Sequence, residues 1–311
     1  MDDRPIGMFD SGFGGLTVAR AVIDLLPAER LVYVGDTGRY PYGPRPQVEV
    51  RGFALEIARH LVDDHGVKLL VVACNTAAAA APLGDLEQRF AVPVLGVIEP
   101  GVRSMVTATR SGRVGVIGTV GAIASGAYQR TVVRVAPDVE LTCAACPGFV
   151  EFVERGDTAS DQVHVLAERL LAPVRDAKVD TLLLGCTHYP FLARTISDVM
   201  GRDVVLVSSA DETAFEVMAR LDAEVLRAVV TPAASSDARP GPHPESLGDA
   251  AMLPAEPATA PPGPAGPADG PADGGPGRHR WLSSGEVSVF RELGRRLLGP
   301  ELEHAEAVPW A

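Results

Sequence analysis

The sequence predicts an α/β fold of two pseudosymmetric, doubly wound domains with mainly parallel sheets and an active site in the cleft between them. Short apolar runs alternate with longer stretches of helical period, which is the pattern of a parallel sheet covered by helices. The series of strands then occurs a second time. Gly7 and Gly115, like Cys74 and Cys186, are separated by about 110 residues, and a spacing kept over several strands indicates duplication.

Eight strand candidates carry this pattern, four in each half. They are residues 6–10, 30–36, 68–73 and 93–98, then 113–118, 138–143, 180–185 and 203–209. Amphipathic stretches between them, at 16–26, 48–64 and 163–177, have apolar faces that would cover the sheets.

Residues 231–280 differ in composition from the rest of the chain. They contain 12 of the 26 prolines and no aromatic residue, so they bury too little apolar surface to offset the entropy of ordering. We expect a disordered Pro/Gly/Ala-rich insertion, either a solvated loop or a partner-binding tract. An ordered pattern resumes at 281–299, with Ser283 or Ser284 as the expected helix cap.

Charge and composition limit the classes of function. A net charge of −12 disfavours contact with phosphate backbones, so we expect no direct nucleic-acid binding. The start MDDRPIGMFD lacks a secretory pattern and no apolar run could span a bilayer, which predicts a soluble, cytoplasmic protein with no membrane partner. Four cysteines are too few for a disulfide scaffold, so we expect free thiols.

Polar residues follow the predicted strands at their carboxyl ends, where doubly wound sheets bind ligands. Asp10 and Ser11 begin the loop DSGFGG, whose glycines allow a tight turn with exposed N–H groups but lack the spacing of a dinucleotide motif. The second strand is followed by GDTGRYPYG, which offers Tyr42 and the backbone of Gly43.

Two cysteines occupy equivalent positions of the repeat. Cys74 begins CNT after the third strand, and Cys186 begins CTH after its counterpart. A lone cysteine at a strand end is usually a small buried hydrophobe, but this pair predicts two thiols facing each other across a cleft. We expect each at the N-terminus of a helix, whose dipole would lower the thiol pKa and allow the thiolate to act as a base.

The neighbours of the cysteines suit an amino-acid substrate. Asn75, Thr76 and Thr187 offer hydroxyl and amide groups for carboxylate and ammonium, and Asp10 and His188 are candidates for assisting proton transfer. One thiolate can take a proton from a carbon while the other thiol delivers a proton to the opposite face. This pair of steps inverts a stereocentre without a cofactor.

Seven segments together resemble the glutamate racemases, a branch of the amino-acid racemases. They are PIGMFDSGFGGLTV, VGDTGRYPYG, ACNTAAA, VLGVIEP, GVIGT, CPGFVEFVERG and LGCTHYPFL. The resemblance covers about residues 5–230 and 281–299. It implies interconversion of L- and D-glutamate for peptidoglycan synthesis, with glutamate as a small-molecule substrate and no cofactor.

The resemblance also assigns roles to individual residues. It makes Cys74 and Cys186 the acid/base pair, with Cys74 acting on D-glutamate and Cys186 on L-glutamate, assisted by Asp10, His188 and, on the second side, Glu154. Substrate contacts would come from Asp10, Ser11, Tyr42, Gly43, Asn75, Thr76, Thr187 and His188. Around Glu154 the chain departs from the family at Gly148, Glu151 and Arg155.

The same resemblance divides the chain into parts. It implies a first α/β domain at 1–100, a second at 101–211, and C-terminal helical segments at 212–230 and 281–311 that return to the first domain.

Three alternatives stay open at this level. Cys143 and Cys146 form a CxxC that could be a redox dithiol or half a zinc site; because no second ligand pair follows, we expect no metal. The chain could be a related racemase for another amino acid. It could also be a non-enzymatic, ligand-responsive binding protein that uses the cleft, since some members of the resembled family are reported to bind and inhibit DNA gyrase, but the intact pair of cysteines argues against a purely binding role. The chain could also form a homodimer.

Overall fold

Ten strands lie in the residues that the computed structural model describes, which are 2–81, 83–224, 279–308 and 310. The strands are β1 (Ile6–Asp10), β2 (Leu31–Gly35), β3 (Leu69–Val72), β4 (Val94–Gly96), β5 (Arg113–Gly118), β6 (Glu140–Ala145), β7 (Thr181–Gly185), β8 (Val205–Ser208), β9 (Arg280–Ser283) and β10 (Glu306–Ala307). The predicted insertion at 231–280 lies outside the described residues except for its last two.

Helices connect and cover the strands. They are α1 (Leu16–Leu25), α2 (Gln47–Asp63), α3 (Asn75–Ala80), α4 (Leu83–Phe90), α5 (Ile98–Ala108), α6 (Val120–Ala124), α7 (Ala127–Val135), α8 (Phe149–Glu154), α9 (Asp161–Asp176), α10 (Ala193–Met200), α11 (Ala210–Ala223) and α12 (Val287–Leu298). Two 3-10 turns span Tyr189–Leu192 and Gly299–Leu302. Within the described ranges, every helix is too short or too polar to cross a bilayer.

The strands form two fully parallel sheets with the same internal order. The first sheet runs β10-β9-β2-β1-β3-β4 and the second runs β6-β5-β7-β8, so the arrangement β2-β1-β3-β4 recurs in the second half. This topology confirms the predicted fold class of two pseudosymmetric α/β units. We call the first sheet with α1–α4, α11 and α12 the first lobe, and the second sheet with α5–α10 the second lobe.

Burial explains why the strands are almost continuously apolar. Ile6 and Met8 of β1 pack on one face of the first sheet with Val18 and Val22, whereas Phe9 packs on the other face with Val72. A parallel strand covered by helices on both faces needs apolar residues at successive positions. Val217 and Leu221 of α11 join the first of these clusters, so the chain returns to the first lobe after β8.

Two predicted strands differ from the structure in their limits. The fourth was predicted to reach residue 98, but β4 ends at Gly96 and α5 begins at Ile98. The strand predicted at 138–143 lies two residues later, as β6. Because β6 is at the edge of its sheet and half-exposed, its register follows from pairing with β5, which places Ala145 beside Gly118, rather than from its own apolar pattern.

The serine cap predicted at the start of the C-terminal helix is wrong. Ser283 belongs to β9, which inserts beside β2 with Leu282 opposite Val34, and α12 begins only after Glu286. Ser284 instead donates its hydroxyl hydrogen bond to Asp36. Trp281 and Leu282 are both buried, on opposite faces of the sheet, which is strand behaviour rather than helix behaviour.

Candidate active site

Both cysteines lie at the point where the strand order of their sheet reverses. In the first lobe β1 pairs with β2 on one side and with β3 on the other, and Cys74 follows β3. In the second lobe β5 has the same place between β6 and β7, and Cys186 follows β7. Loops that diverge at such a switch point leave a crevice for a ligand.

One cavity of about 100 Å³ contains the groups predicted from the sequence. Its lining includes every predicted substrate contact and both thiols, namely Asp10, Ser11, Tyr42, Gly43, Cys74, Asn75, Thr76, Cys186, Thr187 and His188. Glu154 lies outside the lining, behind His188, with 3.2 Å between Glu154 Oε1 and His188 Nε2. The structure thus brings ten predicted residues to one surface and places Glu154 one layer farther out.

Cys74 is the N-cap of α3 and is 4 % exposed. Its sulfur accepts a hydrogen bond from the Ala77 N–H at 3.5 Å and lies 3.7 Å from Ser11 Oγ. Burial and the nearby Asp10 carboxylate raise the pKa of the Cys74 thiol well above its usual value, against the weaker lowering effect of these hydrogen bonds. The predicted lowering of this pKa is therefore wrong: in this arrangement Cys74 is a protonated thiol.

Cys186 does not begin an α-helix, contrary to the prediction. It is followed by the short 3-10 turn Tyr189–Leu192, and its own carbonyl accepts the Tyr189 N–H at 3.0 Å. Its sulfur is buried and lies 3.8 Å from Nδ1 of His188. The partner of this thiol is thus an imidazole on the same loop instead of a helix N-terminus.

His188 is 2 % exposed and is held between two aromatic rings. The ring centroid of Phe13 lies 5.3 Å away and that of Tyr40 lies 6.5 Å away. Burial lowers the pKa of His188, but Cys186, Glu154 and Asp10 outweigh burial and raise that pKa to about 10. His188 therefore carries a positive charge beside the Cys186 sulfur at neutral pH.

Asp10 is fixed from several directions. One carboxylate oxygen accepts the backbone N–H of Ser11 and, at 3.0 Å, the Ser11 hydroxyl. The other oxygen accepts the Gly15 N–H and, at 3.2 Å, the hydroxyl of Thr187 from the second lobe. Two backbone N–H groups of the Gly-rich loop are therefore bound to the Asp10 carboxylate, whereas the sequence predicted only that the loop would expose such groups.

Gly14 of the same loop has a further role that the sequence did not show. A Cβ at this position would collide with the His188 ring and with the Thr187 hydroxyl. Glycine here allows the second lobe to approach the first loop closely.

Further hydrogen bonds join the lobes across the cavity. The Asn75 amide nitrogen lies 2.9 Å from the Tyr128 hydroxyl, and the hydroxyls of Thr76 and Thr119 lie 2.9 Å apart. The predicted substrate contacts are thus partly engaged with the opposite lobe. Asn75 Oδ1 is buried and has no hydrogen-bond partner among the described residues, so it is available to a ligand donor.

Tyr42 and Gly43 line the cavity, but one polar group of each is already hydrogen-bonded within the protein. The Tyr42 hydroxyl donates to the Asp36 carboxylate, and the Gly43 carbonyl accepts the Gly121 N–H at 2.9 Å. A ligand would therefore meet the backbone N–H of Gly43 and the ring of Tyr42 more readily than the Tyr42 hydroxyl.

Several lining or supporting residues were not predicted as site residues from the sequence, among them Tyr40, Thr119, Tyr128, Cys146 and Glu151. Thr119 follows β5 as Ser11 follows β1, so the internal repeat could have identified it. Tyr128 lies within α7, where sequence alone gives no sign that its hydroxyl reaches Asn75 and the Gly185 carbonyl.

The CxxC cysteines are free thiols in different surroundings. Cys143 lies in β6, and Cys146 lines the cavity after that strand. Burial raises the pKa of Cys143 to about 11 and, with a smaller effect of Cys186, that of Cys146 to about 12. In the part of the chain that the structure describes, no three His, Cys, Asp or Glu side chains are grouped to hold a metal ion.

The lining also indicates what the cavity can bind. Among the described residues that line it there is no lysine or arginine, so carboxylates would be held by hydroxyl, amide and backbone donors. Asp10 offers a negative charge to an ammonium group. These neutral donors, together with the carboxylates of Asp10 and Glu151 and the imidazolium of His188, suit a zwitterionic ligand placed between two thiols.

Comparisons with known proteins identify the family of the chain. The profile of the Asp/Glu/Hydantoin racemase family matches residues 14–216. The glutamate racemase of Beutenbergia cavernae is 47% identical over 97% of this chain and 92% of its own length, and that of Mycobacterium leprae is 58% identical over 69% and 78%.

Solved structures of glutamate racemases are also similar to this chain. Glutamate racemase isoform RacE1 of Bacillus anthracis has a TM-score of 0.78 at 35% identity and covers 99% of this chain and 97% of its own. The glutamate racemase of Francisella tularensis, in complex with D-glutamate, has a TM-score of 0.79 at 28% identity and covers 100% and 99%. This chain belongs to the Asp/Glu/Hydantoin racemase family.

Proposed function

We propose that the chain is a glutamate racemase, an isomerase that interconverts L- and D-glutamate by moving the Cα proton between two thiols without a cofactor. The observation that carries this proposal is the placement of Cys74 and Cys186 at equivalent switch points of two lobes, both lining one buried cavity. Two acid/base groups from opposite lobes can serve opposite faces of a carbon.

The choice of glutamate rests on relatives and on the cavity. The similar proteins of Beutenbergia cavernae and Mycobacterium leprae are glutamate racemases, and the similar Francisella tularensis structure holds D-glutamate. Asp10 would receive the α-ammonium group. Thr76 and the Asn75 amide nitrogen would hold the two carboxylates with the Gly43 backbone N–H as an additional donor, while Ser11 and Thr187, whose hydroxyls donate to Asp10, would line the site beside the ammonium group.

The protonation states fit one direction of the reaction. Cys74 is a thiol because its pKa is raised, mainly by burial and also by Asp10. The imidazolium of His188 lies beside Cys186 and stabilises negative charge on that sulfur. In the L-to-D direction, the Cys186 thiolate would remove the Cα proton and the Cys74 thiol would deliver one to the opposite face. After turnover the states are reversed, which suits D-glutamate.

The assisting groups follow from the same contacts. Asp10, held by Ser11, Gly15 and Thr187, sits on the Cys74 side, and His188 sits on the Cys186 side with Glu154 behind it. We assign Asp10 and His188 to proton handling at their nearest thiol and Glu154 to support of His188.

The cellular role follows from the product. D-glutamate would serve peptidoglycan synthesis, and we place the enzyme in the cytoplasm, where that precursor is needed. A homodimer is a further proposal that rests on the resemblance alone.

A direct assay tests the proposal. Purified chain is incubated with L-glutamate or D-glutamate and no added cofactor, and the enantiomers are separated by chiral chromatography. We expect either substrate to reach an equal mixture, because the equilibrium constant between enantiomers is unity. Racemisation of another amino acid with none of glutamate would assign a different substrate, and no racemisation of any amino acid would refute the proposal.

A further inference from the structure

The hydroxyl of Tyr40 differs from those of the other four tyrosines. Tyr33 donates to the Gly12 carbonyl, Tyr42 to Asp36, Tyr128 to the Gly185 carbonyl and Tyr189 to the Cys146 carbonyl. The Tyr40 hydroxyl is buried without a hydrogen-bond partner among the described residues, although its ring is only partly buried. A buried hydroxyl without a partner is costly, so an acceptor close to it would gain a strong hydrogen bond.

Tyr40 stands between the substrate cavity and a second cavity. It lines the first with Cys186 and His188, and it lines the second, of about 360 Å³, with Glu154 and Glu286. Its ring lies against His188, with the centroids 6.5 Å apart. The Tyr40 side chain therefore lies beside both His188 and Glu154.

Two other buried polar atoms in this region also lack a hydrogen-bond partner among the described residues. Glu154 Oε1 and His188 Nε2 are 3.2 Å apart, yet neither makes a hydrogen bond of good geometry with a described residue. Tyr40 and Glu154 line the same second cavity, and burial and the Glu154 carboxylate raise the pKa of Tyr40. The polar groups of Tyr40, Glu154 and His188 thus lie near one another, but no hydrogen bond of good geometry joins them.

The two sides of the active site differ in how their carboxylates are held. Asp10, on the Cys74 side, accepts two backbone N–H groups and two hydroxyls. Glu154, on the Cys186 side, ends the six-residue α8, and among the described residues its carboxylate forms an ion pair with His188 and lies near the Tyr40 phenol. The Tyr40 hydroxyl is the donor placed to fix it.

We propose that Tyr40 is a positioning residue: its hydroxyl donates to the Glu154 carboxylate and holds that carboxylate on Nε2 of His188, which in turn faces Cys186 through Nδ1. The inference deepens the proposed function, because it assigns a residue that acts on the Cys186 half of the reaction. Tyr40 stays protonated throughout and does not touch the reacting carbon.

The proposal has an electrostatic consequence that can be measured without turnover. The titratable groups facing His188 are Cys186 on its own loop, Asp10 from β1, Glu154 from α8 and Tyr40 from the loop after β2. The Glu154 carboxylate stabilises the His188 imidazolium. If Tyr40 no longer positions this carboxylate, the stabilisation should be weaker. Loss of the Tyr40 hydroxyl should therefore lower the pKa of His188.

The first experiment is an NMR titration of protein labelled with 15N in the histidine rings, with the His188 signal assigned by its loss in His188→Asn. We expect Tyr40→Phe and Glu154→Gln each to lower the pKa of His188 by about one pH unit. The double variant should show no further fall, because both changes remove one interaction. Tyr33→Phe, which also loses a buried hydroxyl, should leave this titration unchanged and serves as the control.

The second experiment is kinetic. Because the equilibrium constant is unity, kcat/KM must fall equally in both directions, and we expect a fall of about tenfold in Tyr40→Phe. If the loss falls on the Cys186 step, the primary isotope effect should increase with L-[2-2H]glutamate and decrease with D-[2-2H]glutamate. A general loss of structure would change both isotope effects alike.

The outcomes separate the two proposals. An unchanged His188 titration in Tyr40→Phe, or a double variant whose shift is the sum of the single ones, would overturn the role of Tyr40 whether or not the enzyme acts on glutamate. Absence of racemisation by the unaltered chain would refute the proposed function, and the titration would still decide the positioning of Glu154.

Discussion

Thr187 of the second lobe donates a hydrogen bond to the Asp10 carboxylate of the first lobe, with 3.2 Å between Oγ1 and Oδ2. Thr187 adjoins Cys186, and Asp10 is the carboxylate that raises the pKa of Cys74. One hydrogen bond therefore connects the loop of Cys186 with the carboxylate beside Cys74. Its integrity should matter more to catalysis than to folding.

The first prediction concerns this hydrogen bond. Thr187→Val keeps the shape of the side chain but removes the donor, and Asp10 keeps its two backbone partners. We expect kcat/KM to fall about tenfold and the free energy of unfolding to fall by about 1 kcal/mol, the typical worth of one hydrogen bond. Thr187→Ser keeps the hydroxyl and should retain most activity; equal losses in both variants would show that the hydroxyl is not what matters.

The second prediction concerns the close approach at Gly14. Gly14→Ala places a methyl group against His188 and Thr187, so the lobes must separate or the loop must shift. We expect a loss of at least about tenfold in kcat/KM, because misplaced catalytic groups are costly. Gly52→Ala is the matched control: it lies in α2 with open space around it and should stabilise the protein by about 0.5–1 kcal/mol.

The third prediction is a pH dependence of stability. The pKa of His188 is raised from 6.5 to about 10 in the folded protein, so the folded state holds a proton that the unfolded state loses. Its stabilising contribution is complete below pH 6.5 and is lost as the pH rises towards about 10. Urea unfolding at several pH values should show this fall, and His188→Gln should flatten it. A parallel fall in both proteins would show that other groups cause it.

Much of this site could be predicted from the sequence because the site is built from two repeats of the same strand pattern. The two strand series, the two cysteines and the polar residues at strand ends are local patterns, and parallel topology brings strand ends to one edge. The structure confirms that the predicted substrate contacts and both thiols share a cavity. Their assignment to roles in the reaction stays a prediction.

What the sequence could not show depends on contacts between distant segments. The raised pKa of Cys74 results from burial and from Asp10, neither of which its own loop encodes. Strand β9 was taken for the start of a helix because its partner, β2, lies more than two hundred residues earlier and provides the pairing that makes RWLS extended. Tyr42 was predicted as a substrate contact and Tyr40 was not, whereas only the structure shows that the Tyr42 hydroxyl is already bonded to Asp36.

The fourth prediction concerns the insertion, which lies outside the described residues and is judged by composition alone. Deleting residues 236–278 should leave racemisation and solubility largely intact, because a segment with so little apolar surface contributes little to a core. Activity and sedimentation of the shortened chain measure this directly. Insoluble or inactive protein would give the segment a structural role.

The central claim is that two thiols act on opposite faces of one carbon, and substitution gives its first test. Cys74→Ala and Cys186→Ala should each lower racemisation by about a thousandfold or more in both directions, because every turnover needs one thiol as base and the other as acid. Cys143→Ser, which changes a thiol outside the cavity lining, is the control and should stay active.

The most direct measurement is the hydrogen content of the product formed in heavy water. L-glutamate is incubated with the enzyme, the enantiomers are separated at early times, and Cα deuterium is measured in each by mass spectrometry. Two thiols predict that the D-glutamate formed carries solvent deuterium at Cα while the remaining L-glutamate stays largely protiated. D-glutamate that retains the substrate's own Cα hydrogen would show that one base serves both faces and would contradict the two-thiol mechanism.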